Sequence, residues 1–423
     1  MTHGTEEGNR TAQHIFIIGA KSFGQYGGYE TFVDRLTEQH AGDPMIRYHV
    51  ACKANGKGAM DETKLEGVEV TRAGRRGEVK EFTYHNAHVF KIRCPNLGPA
   101  TALLYDCMAA EYCIRYCREY DIPHPVFYIL ACRIGFRIHS LAKRFRALGG
   151  KYMLNPDGHE WLRSKWSRPV RAYWKWSEKK MVQAADRVIC DSVHIEEYIQ
   201  REYGHPDTTY IAYGADIVPS ALDDDDPVFT GWLSEKGLEP GEYYLVVGRF
   251  VPENSYETMI REFMKSRTSK NLAIVTDRND RLMQHLEETL HFSRDPRIRF
   301  AGTVYDRELL KKIREKAFAY LHGHRVGGTN PSLLEALAAT DLNLLLDVPF
   351  NREAGQDAAL YWTEEVGNLS RLIDSVERED GAWRRRYGNL ARARIREAYS
   401  WETIADRYRR VWLEGEGLKN GNS

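Results

Sequence analysis

Short apolar runs alternate with stretches of helical periodicity through the first half of the chain. The apolar run at 14–19 is followed by a glycine-rich loop and then by residues 29–40, where Phe32, Val33 and Leu36 share one helical face. Further strands are predicted at 47–52, 67–72, 126–132, 151–155 and 185–190, and further helices at 100–120, 134–148 and 195–203. Short buried strands separated by helices are typical of a parallel sheet that is covered on both faces.

The alternation breaks at 205–240, where four consecutive aspartates at 223–226 precede Pro227, and then a second series begins. Its predicted strands are at 243–247, 272–276, 298–301 and 319–322, and its predicted helices at 256–265, 280–290, 306–316 and 331–339. We therefore predict an α/β protein with two doubly wound Rossmann-like domains that face a central cleft, with ligands at the carboxyl ends of the strands. The expected parts are an N-terminal domain at 1–215, a linker at 216–240, a second domain at 241–380, and C-terminal helices at 381–423 that pack back towards the N-terminal domain.

Composition narrows the class of protein. A chain of 423 residues is expected to form about two domains. Basic and acidic residues number 60 each, so nucleic acid is not indicated as a partner. No apolar run approaches the roughly 20 residues that span a bilayer, and the polar first residues are not those expected of a secretory signal. Seven scattered cysteines without a Cys-x-x-Cys pair favour a reducing cytoplasm.

A glycine turn at 327–328 is followed directly by a helix signal. Asn330 suits the N-cap and Pro331 suits the first helical position. Glycines before a helix let a ligand approach the backbone, and the free amides and helix dipole there favour an anion such as a phosphate. Glu335 lies about one turn into the helix, where its carboxylate can accept hydrogen bonds from sugar hydroxyls. We predict a nucleotide or nucleotide-sugar site that contains Gly327, Gly328, Thr329, Asn330 and Glu335.

The strand at 243–247 ends in Gly248 and Arg249. An arginine that leaves a strand through a glycine is well placed to clamp a diphosphate with its fork of donors. The alternative is an ordinary surface arginine in a turn; the glycine–helix segment in the same half favours the clamp. His324 and Arg325, close to the glycine turn, are expected to line the same site.

Two loops in the first half are candidates for substrate contacts. Gly27 and Gly28 precede a helix, but the glycine spacing is not that of a dinucleotide-binding fingerprint, so no nicotinamide cofactor is expected. The alternative is a loop that needs positive φ. Asp157 and His159 follow another strand and can contact sugar hydroxyls, although an Asp-Gly pair also marks a plain turn.

A basic segment at 161–180 contains seven basic residues, one acid and interleaved aromatic rings. This composition suits an anionic membrane surface. The alternatives are a solvated helix with a packed aromatic face and a nucleic-acid patch. The residues expected at the membrane are Trp161, Arg163, Lys165, Trp166, Arg168, Arg171, Trp174, Lys175 and Trp176.

No metal site is expected. The aspartates at 223–226 lie in the predicted linker, away from any strand end, and are expected to be solvated. His322 and His324 flank Gly323 without a third ligand nearby in the sequence.

Taken together, these motifs resemble the retaining glycosyltransferases of family 4, which have the two-domain glycosyltransferase B fold. The resemblance covers nearly the whole chain, and within the family it is to a branch of bacterial β-1,4-rhamnosyltransferases of capsule and cell-wall polysaccharide assembly. The segments that carry it are YGGYETF at 26–32, DGHEW at 157–161, IAYGAD at 211–216, VGRFVPEN at 247–254, and 322–335.

The resemblance implies specific roles, with two departures. Glu335 corresponds to the second Glu of the family's Glu-x7-Glu motif, which binds the donor ribose, and Arg249 corresponds to the diphosphate-binding Arg. The first Glu falls at Gly327, which implies that backbone amides of 328–330 contact the donor sugar instead. The usual Lys partner of the Arg falls at Asn254, so the helix terminus and Arg249, or Arg325, are expected to carry the phosphate charge.

The resemblance implies a metal-independent retaining transferase that moves L-rhamnose from dTDP-β-L-rhamnose to a lipid-diphosphate-linked saccharide. The N-terminal domain would bind the acceptor and the second domain the nucleotide sugar, on the inner face of the plasma membrane. Three alternatives remain: a transferase with another donor such as a UDP-hexose, a nucleotide-sugar epimerase that works without acceptor, and a non-catalytic subunit of a polysaccharide complex, which the two missing motif residues suggest.

Overall fold

The computed structural model of the protein describes residues 12–24, 27–74, 77–163 and 166–414. Tyr26 of the first motif, Lys165 of the basic segment and nearly all of the polar N-terminal residues lie outside this described part.

The chain folds as two compact units. The first contains the described residues up to Trp161, then Trp166–Ala212 and Trp401–Glu414. The second contains Leu162, Arg163 and Tyr213–Ser400.

The first unit is built on a nine-stranded sheet. Its strands are β1 Gln13–Ile18, β2 Ile46–Lys53, β3 Glu69–Ala73, β4 Val79–Tyr84, β5 Ala87–Ile92, β6 Val126–Leu130, β7 Lys151–Asn155, β8 Arg187–Cys190 and β9 Thr208–Tyr210. Their order is β3-β4-β5-β2-β1-β6-β7-β8-β9. β1 and β6 are buried along their whole length, which explains why they appear in the sequence as unbroken apolar runs.

Helices cover this sheet. They are α1 Gly28–Gln39, α2 Thr101–Glu119, α3 Ile138–Arg146, α4 Arg168–Ala184 and α5 Val193–Tyr203. Each presents an apolar face to the core, as α3 does with Ile138, Leu141 and Phe145. The predicted strand–helix alternation of this half is confirmed, within the usual uncertainty at element ends.

One edge of the first sheet corrects the expectation of a parallel sheet. β3, β4 and β5 pair antiparallel, and only β5 continues the parallel part by pairing with β2. His85 and Asn86, with φ of 46° and 56°, form the tight two-residue turn between β4 and β5. The sequence signal was weak because β4 is half-exposed and carries polar residues.

The second unit contains a six-stranded parallel sheet. Its strands are β10 Tyr243–Val247, β11 Asn271–Val275, β12 Ile298–Gly302, β13 Ala319–His322, β14 Asn343–Leu346 and β15 Leu360–Trp362. Their order is β12-β11-β10-β13-β14-β15. The chain runs outward from β10 to β12 and then returns to β13, so the topological switch lies between β10 and β13.

The helices of the second unit lie between and after these strands. They are α6 Pro227–Lys236, α7 Tyr256–Lys265, α8 Asp280–Leu290, α9 Arg307–Glu315, α10 Pro331–Ala339, α11 Pro349–Gly355, α12 Asn368–Val376 and α13 Gly381–Ala398. A last helix, α14 Trp401–Leu413, belongs to the first unit.

The expected linker at 216–240 is part of the second unit. Asp226 caps α6 by accepting a hydrogen bond from the Val228 amide at 2.8 Å, and Phe229 of this helix is fully buried. Asp224 lies 2.6 Å from Lys312 on α9. Of the aspartates at 223–226, which were expected to be solvated, Asp226 therefore caps α6 and Asp224 pairs with α9, while Asp223 and Asp225 are exposed.

The described part of the C-terminal segment, residues 381–414, divides between the units instead of packing as one piece. α13 remains in the second unit, where Gly388 lies so close to Asp341 that a Cβ would stand 2.8 Å from its Cα. α14 packs on the first unit, where the Tyr408 and Tyr128 hydroxyls lie 2.9 Å apart and the Trp412 indole donates to Tyr48 at 2.9 Å.

Candidate functional site

The candidate site lies at the topological switch of the second sheet. β10 and β13 are parallel neighbours, so the loops that follow their carboxyl ends, beginning at Gly248 and Gly323, emerge side by side. Ligands of open α/β sheets bind at such switch points. Every donor-site residue predicted from the sequence lies in these two loops or in α10.

The start of α10 has the geometry of an anion site. The Asn330 side chain accepts a hydrogen bond from the Leu333 amide at 3.2 Å, and Pro331 occupies the first helical position. Gly327 has φ of 143°, a conformation that disfavours any side chain and explains why no Glu stands at this position. Gly328 and Thr329 are buried beside the helix start.

Glu335 has a partner that the sequence did not predict. Its carboxylate is 41% exposed and lies 2.6 Å from Arg314 on α9, whose side chain is only 4% exposed. Arg314 also donates to the Ser332 hydroxyl at 3.3 Å. The carboxylate is therefore fixed from behind by a buried guanidinium while part of it faces outward.

This ion pair is connected to the strands beneath it. The hydroxyls of Ser332 and Tyr320 both reach the Val247 carbonyl, at 3.2 Å and 3.1 Å. Val247 is the last residue of β10, immediately before the loop of Arg249. The network thus joins α9, α10, β13 and β10 around the site.

Arg249 is exposed, and its backbone is held by Asn254. Asn254 is 5% exposed and its amide donates to the Arg249 carbonyl at 2.8 Å. Asn254 therefore has a structural contact, and its side-chain amide is used inside the loop. Gly248 allows the close approach of His324, since a Cβ there would stand 3.2 Å from the His324 ring.

His322 and His324 stack with ring centroids 4.3 Å apart. Within the described part of the chain, neither ring nitrogen of His322 has a hydrogen-bond partner, and Nδ1 of His324 also lacks one. Burial lowers the pKa of His322 well below its usual value. Burial, with smaller contributions from Arg249 and Arg163, lowers the pKa of His324 to about 3. Both rings are therefore neutral at pH 7.

Arg325 has a partner of its own. Its guanidinium pairs with Glu364, and both side chains are 44% exposed. Its backbone amide donates to the Glu253 carbonyl at 3.0 Å, which ties the two site loops together. Because Glu364 offsets its charge, Arg325 adds less positive potential to the site than Arg249.

In the first unit, the predicted contact residues lie at the carboxyl ends of β1 and β7. Gly27 has an extended backbone with φ of 162°, so the alternative of a positive-φ requirement does not apply to it. A Cβ on Gly27 would instead stand 2.1 Å from the Glu30 carboxylate. Gly28 is the exposed first residue of α1.

The loop after β7 is strained. Asp157 and His159 both have positive φ, 61° and 45°, which is uncommon for residues other than glycine and recurs at functional sites. The Asp157 carboxylate accepts from the Gly158 amide at 2.8 Å. His159 packs on Tyr198 with centroids 4.3 Å apart, and burial lowers its pKa.

Sequence reasoning missed two residues near this loop. Arg133 follows β6 and lies 3.0 Å from the fully buried Asp106 and 3.1 Å from the Gly19 carbonyl. The Tyr29 hydroxyl on α1 is buried, and no hydrogen-bond partner is found for it in the described residues. Neither stood out in the sequence because neither belongs to a local motif; the sheet order alone places them together.

The basic segment at 161–180 does not form one continuous surface. Lys175 lies 4.7 Å from the centre of the Trp161 ring and 2.9 Å from Glu202, so its charge is offset within the unit. Trp166 donates to Glu160 at 2.8 Å, and the rings of Trp166 and Trp174 pack with centroids 6.2 Å apart.

Its remaining members fall in three environments. Arg171 donates to the Trp161 carbonyl at 2.7 Å. Arg163 belongs to the second unit, where it contributes to the potential at His324. Arg168 and Trp176 are exposed on α4, which leaves a smaller surface than the sequence indicated.

The described residues contain neither a candidate metal cluster nor a candidate membrane span. No three His, Cys, Asp or Glu side chains are grouped there in a way that could hold a metal ion. Nor does any described helix combine the length and apolar character needed to cross a bilayer.

Comparison with known proteins places the first unit beside an uncharacterised family. Residues 12–216 match the model of a domain of unknown function, DUF1972. Over 216 residues the chain is 23% identical to the O-antigen chain mannosyltransferase RfbU of Salmonella typhimurium strain LT2. That match covers 49% of this chain and 58% of the relative, so the chain spans little more than half of the relative's length.

Solved structures share the architecture over 94–97% of the chain. Sucrose-phosphate synthase from Thermosynechococcus elongatus matches with a TM-score of 0.70 at 17% identity, over 95% of this chain and 98% of that one. HepE of Anabaena in complex with UDP-glucose matches with a TM-score of 0.68 at 14% identity, over 94% and 98%. A glycosyltransferase from Rickettsia africae matches with 0.69 at 11%, over 97% and 100%. The protein therefore has the glycosyltransferase B fold.

Proposed function

We propose that this protein is a glycosyltransferase that uses a nucleotide sugar in the assembly of a bacterial surface polysaccharide. The observation that carries the proposal is the arrangement around α10, where a capped helix start, Arg249 and the Arg314–Glu335 pair meet at the switch point of the second sheet. The helix amides and Arg249 suit a diphosphate, and the outward oxygen of Glu335 suits a ribose hydroxyl. The similarity to an O-antigen mannosyltransferase supports the pathway class.

The reaction we propose is transfer with retention of anomeric configuration. The bond between the sugar C1 and the diphosphate oxygen breaks, and the acceptor hydroxyl forms the new bond from the same face. The hydroxyl proton passes to the departing diphosphate, so no enzyme nucleophile is required. Arg249 and the backbone amides of 328–330 stabilise the charge that develops on the leaving group. This stabilisation needs no divalent metal.

For the substrates, we propose dTDP-β-L-rhamnose as donor and a lipid-diphosphate-linked saccharide as acceptor. The motif resemblance across both units supports this pair. GDP-mannose is the second candidate donor, because the relative that matches 49% of the chain is named a mannosyltransferase. UDP-glucose is a third, since HepE is described in complex with it.

For localisation, we propose peripheral attachment to an anionic membrane on its cytoplasmic face. Trp176 is 43% exposed on α4 of the first unit, and Arg168 and Lys179 of the same helix are exposed as well. Exposed basic residues beside an amphipathic ring suit an anionic lipid surface.

A donor panel tests the activity. The purified protein is incubated with a lipid-linked acceptor and one of dTDP-rhamnose, UDP-glucose, UDP-galactose, UDP-N-acetylglucosamine or GDP-mannose, with and without EDTA, and the product anomer is determined. We expect rhamnose transfer with retention that EDTA does not reduce. Inversion contradicts the proposed mechanism, and transfer of another sugar replaces the donor. Formation of an epimerised nucleotide sugar without acceptor, or no reaction with any donor, overturns the transferase proposal.

A further inference from the structure

A buried arginine stands directly behind the carboxylate of the proposed nucleotide site. The Arg314 side chain is 4% exposed and lies 2.6 Å from Glu335 Oε2, while the Glu335 side chain is 41% exposed. One carboxylate oxygen, Oε2, is thus bound from inside the unit, while the side chain as a whole remains 41% exposed.

We propose that Arg314 is a positioning residue for nucleotide recognition: it fixes the orientation of the Glu335 carboxylate so that the outward oxygen accepts hydrogen bonds from the ribose hydroxyls. This inference rests on the proposed nucleotide-sugar site. Arg314 itself touches no part of the nucleotide and acts only through Glu335.

The contacts of Arg314 support a role in orientation. Its guanidinium holds two residues of α10, Glu335 and, at 3.3 Å, Ser332. The Ser332 hydroxyl in turn reaches the Val247 carbonyl at 3.2 Å. These contacts fix the rotation of α10 relative to β10, and the position of the Glu335 carboxylate relative to the Arg249 loop follows from it.

The cost of burying this charge favours a functional reason for it. Only Arg314 is desolvated in this pair, since Glu335 stays 41% exposed, and the cost of burying the guanidinium offsets much of its attraction to the carboxylate. Apolar residues often replace buried charges without loss of stability. A flexible Glu loses conformational freedom when it binds a ligand, whereas one already held by a charge-assisted hydrogen bond does not. Arg314 therefore preorganises the Glu335 side chain for binding.

The position of Arg314 carried only a weak signal in the sequence. It lies beside Ile313 on the buried side of α9, where a charged residue requires a partner. The partner lies on a different helix 21 positions further along the chain, so spacing within α9 does not identify it.

The test compares nucleotides that differ only in the ribose hydroxyls. Binding of UDP and 2′,3′-dideoxy-UDP, and of dTDP and its 3′-deoxy analogue, is measured by calorimetry with the full chain. We expect the wild type to bind UDP or dTDP, which carry the ribose hydroxyls, about tenfold more tightly than the corresponding deoxy analogue. Arg314→Met should remove this preference and leave the affinity for the deoxy analogue unchanged. Arg307→Met, an exposed arginine on the same helix, is the matched control and should behave as wild type.

Two further variants separate positioning from folding. Arg314→Lys keeps the buried charge, but an ammonium group lacks the planar fork by which the guanidinium contacts both Glu335 and Ser332. About a threefold preference for the hydroxylated nucleotide should therefore remain. In a Glu335→Gln background the preference is already lost, and adding Arg314→Met should change it no further. Thermal melts report whether each variant is folded.

The outcomes are distinguishable. If folded Arg314→Met keeps the hydroxyl preference, or if Arg314→Lys keeps it in full where Arg314→Met does not fold, the positioning role is wrong. If the Arg314 variants bind the hydroxylated nucleotide and its deoxy analogue more weakly by the same factor, Arg314 has a purely structural role, which also contradicts the inference. If the wild type binds no nucleotide at all, the proposed site itself fails.

Discussion

The carboxyl edges of the two sheets differ in the chemistry they present, although both units are doubly wound. In the second unit this edge offers hydrogen-bond donors: the amide end of α10 and the exposed Arg249. In the first unit it offers mainly acceptors, with the Asp157 carboxylate and the neutral His159 in a strained loop. The arginine of this edge, Arg133, is turned inward to the buried Asp106.

This difference indicates a division of labour that the fold alone does not specify. Free amides and a guanidinium stabilise a phosphate, whereas a carboxylate and a neutral imidazole accept hydrogen bonds from hydroxyl groups. We therefore expect substitutions in the second unit to change nucleotide binding, and substitutions in the first unit to change acceptor binding.

The largest effects are expected in the second unit. Arg249→Ala removes a donor to the leaving diphosphate, and kcat should fall by roughly 10²–10³.

Glu335→Gln should raise the donor KM by about tenfold, because a neutral amide replaces a charged acceptor. Steady-state transfer kinetics with varied donor check both, and the exposed Arg281→Ala on α8 is the control. Near-normal transfer by Arg249→Ala would remove it from the site.

Glu335→Gln tests the role of the carboxylate in transfer better than Glu335→Ala, because of the contact between Glu335 and Arg314. Sequence reasoning leads to the expectation that Ala removes the carboxylate and leaves the fold intact. The 2.6 Å pair with Arg314 means that Ala would leave a buried guanidinium without its counter-ion, which is costly. Gln keeps a hydrogen-bond acceptor for Arg314, so a loss of transfer can be separated from a loss of stability.

Much of the second-unit site was predictable from local sequence. The glycine turn, the Asn330 cap and Pro331 lie next to one another in the chain, and their structure follows from local backbone chemistry. Arg314 was not predictable in the same way, because its role depends on a contact between two helices. The sequence did not show that the buried amide of Asn254 bonds the Arg249 carbonyl within its own loop, and its place in the donor site stays a prediction.

The first unit was harder to read beyond its buried strands. The strand–helix alternation predicted its parallel part, but the half-exposed β4 has no continuous apolar run. The basic segment at 161–180 suggested one surface by composition, yet Lys175 turns into a cluster of rings and acids. Composition shows that charges are close in sequence, but it does not show which of them face solvent.

The second prediction compares buried histidines in the two units. His88 donates to Glu81 at 3.2 Å, which leaves its Nδ1 to accept from His49 at 3.1 Å; His49 then accepts from His14 at 2.9 Å. This chain is satisfied when all three rings are neutral. His49→Phe leaves its two neighbours without these partners and should lower the free energy of unfolding by about 1–3 kcal/mol for each.

The second-unit counterpart is His322, whose ring nitrogens have no hydrogen-bond partner among the described residues. His322→Phe should therefore leave the free energy of unfolding unchanged or raise it, because no hydrogen bond is lost. Urea unfolding of both variants checks the comparison. Equal destabilisation by the two substitutions would mean that the hydrogen-bonded chain of the first unit contributes nothing beyond packing.

The third prediction concerns membrane binding by the first unit. Arg168→Gln combined with Lys179→Gln removes two exposed charges from α4. Because each basic residue near an anionic surface contributes about 1 kcal/mol, binding to phosphatidylserine-containing vesicles should weaken by roughly thirtyfold. Arg281→Gln with Arg307→Gln removes two exposed charges from the second unit and should change binding little. If both double variants weaken vesicle binding equally, binding depends on the net charge of the protein and not on a specific surface.

The fourth prediction concerns the acceptor. Asp157→Asn keeps the turn, since an amide oxygen can still accept from the Gly158 amide, but loses the charged acceptor for a sugar hydroxyl. We expect the acceptor KM to rise roughly tenfold while the affinity for the nucleotide stays unchanged. Kinetics with varied acceptor, together with nucleotide calorimetry, measure both quantities. A change in nucleotide affinity alone would reverse the division of labour between the units.

The smallest effect expected is the pH dependence that the His49 chain gives to stability. Burial, together with His88 and His14, lowers the pKa of His49 well below its usual value. Since the unfolded chain then binds a proton at a higher pH than the folded one, this contribution to stability is full above about pH 6.5 and decreases as the pH falls. The loss approaches at most about 1.4 kcal/mol per pH unit for one group. Urea unfolding between pH 7.5 and 5 gives the free energy of unfolding as a function of pH, and its slope should be shallower in His49→Phe than in the wild type. An unchanged slope would assign the acid sensitivity to other buried histidines such as His322.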